Sequence, residues 1–234
     1  MCRGHAKTVC VILGANPAKW DRFSPLPPPS WFQDAIHSFE RAVALASTGA
    51  LIESQDALGA IREPELREFF EEHGQQTYRF RTMGRGIERL APGVRDLDPV
   101  RAISGELQRK VMERDGYLCR YCQIPVVPKS VLAAYAKVMG PEVFPTANSN
   151  AGRHGVVLAF RANVDHVLPH NRGGRTDLAN LVTSCWSCNY GKNRFTVEEL
   201  GLDDPRDRAP TQLDRWHGLT EYLEPLRHAA TGTP

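Results

Sequence analysis

The chain has 234 residues, of which 41% are hydrophobic and 24% charged, a composition typical of a soluble globular protein. It is long enough for one large domain or two small ones, and no apolar run approaches the roughly 18 residues of a membrane-spanning helix. The apolar residues 9–13 are too few for a signal peptide and no cleavage site follows them, so we expect a cytoplasmic protein.

The net charge of +2 is unevenly distributed along the chain. Residues 101–200 contain 13 Lys and Arg against 8 Asp and Glu, whereas residues 1–100 contain 12 against 13 and residues 201–234 contain 4 against 6. We therefore expect any surface that binds a polyanion to lie in the middle third. A solvated basic face explains this modest imbalance almost as well.

The first hundred residues are predicted to be mainly helical. The sequence TVCVILG (8–14) predicts a short buried strand, and SPLPPPS (24–30) an extended linker. Apolar residues then recur at helical spacing from Trp31 to Ala46, behind a candidate N-cap at Ser30. A second helix is predicted with Pro64 in its first turn and Gly74 at its end.

Arginines are frequent between residues 78 and 95, among several glycines, and this stretch fits a basic arm that contacts phosphates or a solvated linker between domains. Those arginines are Arg79, Arg81, Arg85, Arg89 and Arg95. The sequence after residue 103 predicts a helix, as do residues 189–202 and 212–228. We divide the chain into a helical region of unknown role (1–100), a central domain (101–200) and a helical extension (201–234).

Four of the six cysteines form two pairs, each separated by two residues: Cys119 and Cys122, then Cys185 and Cys188. Such a gap allows both thiolates of a pair to bind one ion from a tight turn, and two pairs complete a tetrahedral zinc site. Four thiolates leave no open coordination position, so this Zn²⁺ is predicted to be structural. The alternatives are four unrelated free thiols or a redox motif, and the latter requires only one pair.

A group of residues with a recognisable order and spacing lies on both sides of the second cysteine pair. It contains Asp165-His166, Pro169, Arg172-Gly173-Gly174, Asn180-Leu181 and Lys192. In order and spacing these residues, within 108–196, resemble the signature of the His-Asn-His (HNH) endonuclease family in its zinc-bound, McrA-like ββα-metal form. The resemblance implies a strand-loop-strand-helix unit that brings the Asp, the His and the start of the helix around one divalent ion.

The resemblance also implies roles for individual residues. His166 is the expected general base, because a neutral imidazole accepts a proton near pH 7. Asp165 and Asn189 are the expected ligands of a catalytic Mg²⁺ or Mn²⁺, although many family members have His at the position of Asn189. Asn180 is expected to hold the loop and the histidine in place, whereas His170 is more typical of a loop residue than of a catalyst.

Basic residues around this unit are candidates for contacts with DNA phosphates. They are Arg172 in the glycine loop, and Lys192 and Arg194, which we expect on one helix after the second cysteine pair. A solvated basic face is an equally good explanation of the last two. About forty residues separate the first cysteine pair from Asp165, and this insertion (about 123–160) is expected to be a surface excursion of the zinc module.

The sequence thus predicts an α+β protein: a helical N-terminal region, a zinc-stapled ββα-metal nuclease module and a C-terminal helix. The resemblance implies hydrolysis of double-stranded DNA to 5′-phosphate and 3′-hydroxyl ends. Two alternatives stay open at this stage. One is a zinc-stapled nucleic-acid-binding module without catalysis, and the other is a nuclease subunit whose N-terminal helices dock on a protein partner.

Overall fold

A computed structural model describes residues 10–87, 93 and 96–231. The N-terminal part is helical: α1 (Phe32–Ser47), α2 (Leu51–Gly59), α3 (Glu63–Glu68), a π-helical turn (Phe69–His73), a 3₁₀ turn (Gly74–Gln76) and α4 (Thr77–Gly84). Then follow α5 (Gly105–Arg114), α6 (Lys129–Met139), α7 (Gly155–Phe160), β1 (Ala162–His166), β2 (Leu181–Cys185), α8 (Trp186–Lys192), α9 (Val197–Leu200) and α10 (Leu223–Thr231). This is a mixed α+β fold, as predicted.

Helix α1 forms one side of the hydrophobic core. Its buried residues follow the three- and four-residue spacing of one helix face: Phe32, Ala35, Ile36, Phe39, Ala42, Val43 and Ala46. The predicted cap is wrong, because Trp31 holds the N-cap position and makes no side-chain hydrogen bond there. The π-helical turn Phe69–His73 continues α3, so the predicted second helix is confirmed, while α2 was not predicted.

The insertion between the first cysteine pair and β1 is part of the core, so its prediction as a surface excursion is wrong. Phe39 of α1 lies 5.2 Å from Tyr135 of α6 and 5.6 Å from Phe144, measured between ring centroids. Tyr135 also shares a hydrogen bond of 3.0 Å with Ser54 of α2. All six residues of α7 are buried. The insertion therefore joins the N-terminal helices to the sheet.

One hydrophobic cluster contains side chains from Cys10 to Leu226, on both sides of residue 100. The division of the chain into three parts stays a prediction. No helix among the described residues has the length and apolar character needed to cross a membrane.

Two further predictions are wrong at the ends of the chain. The described part of the predicted strand, residues 10–14, forms a turn, and Val11 is 65% exposed. The predicted helix over residues 212–228 begins only at Leu223, after a 3₁₀ turn (Thr220–Tyr222). Gly218 and Leu219 adopt positive φ, a left-handed conformation that an α-helix does not contain.

Arg81 is a structural residue of α4. It is 1% exposed, and its guanidinium donates to the carbonyls of Asp21, Ser24, Pro25 and Leu200. Burial lowers its pKa to about 10, against the opposing effect of Asp21. The interpretation of this stretch as an arm or linker is therefore wrong for Arg81. Arg89 and Arg95 lie outside the described residues.

Candidate active site

The two cysteine pairs meet in one cluster. Cys119 and Cys122 lie in the turn after α5, Cys185 ends β2 and Cys188 lies in α8. All four sulfurs lie within 4.8 Å of one another, and those of Cys122 and Cys185 are 3.8 Å apart. A tetrahedron with Zn–S bonds of about 2.3 Å has edges of about 3.8 Å. The geometry is therefore compatible with a zinc site.

Strands β1 and β2 form an antiparallel ladder that positions the Asp-His pair. Asp165 pairs with Val182 and His166 with Leu181 at the end of β1. Both side chains border one cleft of about 840 Å³, opposite the middle and the end of α8. The cleft is lined by Leu97, Arg101, Asp165, His166, Pro169, His170, Asn171, Asn189, Tyr190, Lys192, Asn193 and Arg194. The predicted base and both predicted metal ligands thus share one cavity.

Asp165 is held by two buried partners. Its side chain accepts a hydrogen bond of 2.7 Å from the Tyr121 hydroxyl, and the Lys192 ammonium lies 3.2 Å from the same oxygen, Oδ2. Lys192 also donates to the His166 carbonyl at 2.9 Å. Burial and the negative charge of Asp165 raise the pKa of Tyr121, so its hydroxyl stays a donor. These two contacts therefore fix the orientation of the carboxylate.

His166 is oriented through Thr176. The Thr176 hydroxyl lies 2.9 Å from His166 Nε2 and donates its proton to the carbonyl of Val100. A hydroxyl has one hydrogen and a carbonyl oxygen only accepts, so the Thr176 oxygen must accept from the imidazole. Neutral His166 therefore carries its proton on Nε2. Its basic nitrogen is Nδ1.

The surroundings of His166 favour the neutral imidazole. Burial lowers the pKa of His166, the positive charges of Lys192 and Arg101 act in the same direction, and Asp165 opposes them. A histidine with a pKa below its ordinary value is unprotonated at neutral pH. The residue is thus available to accept a proton under physiological conditions.

Asn180, the middle residue of the signature, makes three hydrogen bonds within the loop between the strands. Its amide accepts from the Leu168 backbone N–H at 2.9 Å and donates to the carbonyls of Leu168 and Arg175. The loop passes so close that a Cβ on Gly174 would lie 1.7 Å from the Leu168 carbonyl oxygen. Only glycine fits there. These contacts hold the chain between His166 and Thr176.

Asn189 is partly exposed on α8 and faces the cleft with Asp165. Within the described residues its amide has no hydrogen-bond partner. A carboxylate and an amide carbonyl are hard oxygen donors of the kind that Mg²⁺ and Mn²⁺ bind, so the donor set fits a divalent cation. The buried charge of Lys192 offsets that of Asp165 and lowers the affinity of this pair for a cation.

The predicted phosphate contacts have different surroundings. Arg194 is exposed at the cleft, but Asn193 with φ 55° ends α8 before it, so the prediction of one helix for both basic residues is wrong. Lys192 is fully buried on Asp165 and is not on a solvated face. Arg172 forms an ion pair with Glu199. Contacts of Lys192 and Arg172 with DNA stay predictions.

Residues 96–101 form a wall of the cleft that the sequence did not predict. The Asp98 carboxylate accepts a hydrogen bond of 2.9 Å from the Thr176 backbone N–H. The backbone carbonyl oxygen of Asp98 lies 2.8 Å from His170 Nε2. Hydrogen bonds from the backbone N–H groups of Thr176 and Val100 lower the pKa of Asp98. Exposed Arg101 adds a positive charge to the cleft. No local pattern in this segment marks it as part of a site.

Comparison with known proteins gives one match. Residues 154–195 match the family model of the HNH endonuclease. No curated protein and no solved structure matches the chain. The matched segment contains β1, β2 and α8, and it includes Asp165, His166, Asn180 and Asn189. The McrA-like subtype stays a prediction. Residues 154–195 are thus similar to the HNH endonuclease family, and they are the segment that lines much of the cleft.

Proposed function

We propose that the chain is an endonuclease that hydrolyses phosphodiester bonds of double-stranded DNA with one Mg²⁺ or Mn²⁺ ion. One observation supports this most strongly: His166, with Nδ1 as its basic nitrogen, shares a cleft with the hard oxygen donors Asp165 and Asn189. A base beside a cation site is the arrangement that hydrolysis of a phosphodiester requires.

In the proposed reaction His166 Nδ1 accepts a proton from the attacking water. The water oxygen forms a bond to phosphorus while the bond between phosphorus and the 3′ oxygen breaks, and solvent protonates that oxygen. The products are a 5′-phosphate and a 3′-hydroxyl. Asp165 and Asn189 would hold the cation, which when bound supplies charge stabilisation at the phosphoryl group and the leaving oxygen. Arg101 and Arg194 at the cleft attract the DNA backbone.

The four-cysteine cluster is the proposed site of a structural Zn²⁺, separate from the cation in the cleft. Cys185 links the two sites, because it ends the strand that pairs with β1 and accepts a hydrogen bond of 3.3 Å from the Cys188 N–H at the start of α8. A metal on these thiolates fixes the position of α8. The zinc site therefore sets the distance between Asn189 and Asp165.

Two predictions about biological setting stay predictions. One is the cytoplasmic location. The other is a protein partner for residues 1–100, which nothing among the described residues supports. α3 packs on α7 and α4 packs on α8, so these N-terminal helices are part of the nuclease body.

The proposal is tested by offering the purified full chain supercoiled plasmid, linear duplex DNA, single-stranded DNA and RNA in Mg²⁺ or Mn²⁺. We expect nicked circles and then linear plasmid, with nicks that a DNA ligase seals without prior phosphorylation. Sealing without added kinase shows 5′-phosphate and 3′-hydroxyl ends. If the chain binds duplex DNA but cuts none of the substrates with either ion, the non-catalytic binding module is the better interpretation.

Replacing Thr176 by valine is expected to slow cleavage by about 10- to 100-fold, the usual cost of losing a partner that orients a reactive imidazole. Valine keeps the shape of threonine but cannot accept from His166 Nε2, so the ring loses its fixed orientation. We expect kcat to fall with little change in KM, and Thr176→Ser to restore most of the rate. A valine variant as fast as the wild type, with a slow serine variant, would show that Thr176 acts only by packing.

A further inference from the structure

Two arginines lie over one tryptophan beside the cleft. The guanidinium carbon of Arg161 lies 4.0 Å from the centroid of the Trp186 ring, and that of Arg153 lies 5.4 Å from it. Trp186 is the first residue of α8, and its ring is 5.1 Å from that of Tyr190, which lines the cleft. The aromatic pair thus connects the two guanidinium groups to the candidate active site.

The positive charge of these arginines is not balanced. Within the described part of the chain, no carboxylate lies within 4 Å of either guanidinium. Arg153 donates to uncharged oxygens, the Asn150 side chain and the Asn148 carbonyl. Arg161 Nε and Trp186 Nε1 are buried donors that have no hydrogen-bond partner among the described residues. The pair therefore differs from Arg67 and the other arginines of the chain that have a carboxylate partner.

Keeping two such cations together is costly, which indicates that they have a ligand. Burial lowers the pKa of Arg161, and the nearby charge of Arg153 acts in the same direction. Stacking on an aromatic ring restricts the orientation of a guanidinium. Its planar N–H groups are then placed to form two parallel hydrogen bonds with an anion. Phosphate is the anion whose geometry fits this fork. The insertion supplies Arg153, whose side chain is fixed by the two asparagines of its own loop.

We propose that Arg153 and Arg161 bind a backbone phosphate of the DNA strand that passes from the cleft over Tyr190 and Trp186. This rests on the proposed function, because duplex DNA is the polyanion expected at the cleft. The two arginines lie outside the group formed by Asp165, His166 and Asn189. They would contact the DNA backbone and not the bases, so they add affinity without sequence preference. It also gives the insertion a role in substrate binding.

The test is fluorescence anisotropy of a labelled duplex oligonucleotide with the zinc-loaded full chain in Mg²⁺-free buffer, at several salt concentrations. We expect the double variant Arg153→Gln/Arg161→Gln to bind about 10- to 100-fold more weakly. The slope of log affinity against log salt should fall by about 1 for the lost phosphate contact. The control is Arg62→Gln/Arg227→Gln, because Arg62 also lies over a tryptophan but has a carboxylate partner, Glu65.

The double variant Arg153→Lys/Arg161→Lys separates the effect of charge from that of packing. It also tests the site if the glutamine variant does not fold. Lysines keep the charge, so most of the salt slope should remain. Unchanged affinity and slope in the glutamine variant, or an equal loss in the control, would overturn the site. So would tighter binding of duplex RNA than of DNA. If DNA binding depends on both arginines but the chain cleaves no DNA, the phosphate site is supported and the proposed nuclease activity is wrong.

Discussion

A His166→Ala variant should keep its fold and lose cleavage by about 10²- to 10⁴-fold, the usual contribution of a positioned general base. Alanine leaves no group to accept the proton of the attacking water, while hydroxide and the remaining charge stabilisation sustain a small residual rate. The His166 side chain is partly exposed, so little packing is lost. Initial rates of plasmid nicking, with circular dichroism to confirm folding, measure the effect.

His170→Ala is the matched control for this variant. His170 lines the same cleft, and its ring centroid lies 6.1 Å from that of His166. Its Nε2 lies 2.8 Å from the Asp98 carbonyl, a contact typical of a loop residue. We expect it to slow nicking by at most about tenfold. Full activity in the His166 variant, or a greater loss in the His170 variant, would move the general base to another residue.

Replacing Cys185 by serine should remove the bound zinc and unfold the module at physiological temperature. The serine hydroxyl stays protonated near neutral pH and is a poor zinc ligand. Zinc in small four-ligand sites contributes about 10–16 kcal/mol, comparable with the whole stability of a domain, about 5–15 kcal/mol. Cys185 also ends β2 and caps α8, so both elements lose an anchor.

Zinc content by mass spectrometry and thermal melting by circular dichroism test this prediction. Cys10→Ala is the control, because Cys10 is a buried cysteine of the core outside the cluster. It should retain one zinc per chain and lose only the small stability of a reduced core side chain, about 1–2 kcal/mol. A Cys185→Ser protein that retains zinc and melts as the wild type does would show that the cluster is not a metal site.

The position of the candidate site could be predicted from the sequence because its information is local. Asp165, His166, Asn189 and the second cysteine pair lie close together in the sequence, and two strands and one helix bring them together. The register of β1 on β2 then places Asp165 and His166 beside α8. The family match covers this same segment.

The supporting contacts could not be predicted because they join distant parts of the chain. Tyr121 contacts Asp165 across 44 positions, and Thr176 contacts Val100 across 76. No pattern around either residue marks such a partner. Lys192 has the sequence context of an exposed phosphate ligand, yet it is buried on Asp165. Only tertiary packing determines which basic residues stay at the surface.

The insertion was predicted to lie at the surface although its own sequence indicates burial. The stretches KSVLAAYAKVM and GVVLAF are apolar enough to form core helices, and the first buries one face while the second is wholly buried. The prediction assumed that an insertion into a family's sequence pattern lies at the surface of the domain, and this insertion does not. Residues 212–219 show the reverse error, because apolar spacing suggested a helix that the positive φ of Gly218 and Leu219 interrupts.

We propose that hydrolysis requires a divalent cation in the cleft of Asp165 and Asn189. Its most direct test is plasmid nicking as Mg²⁺ is added to magnesium-free protein that carries one zinc per chain. We expect no nicking before the addition and a rate that rises with Mg²⁺ and saturates. Full-rate nicking without an added divalent cation, or none at any concentration of Mg²⁺ or Mn²⁺, would contradict it.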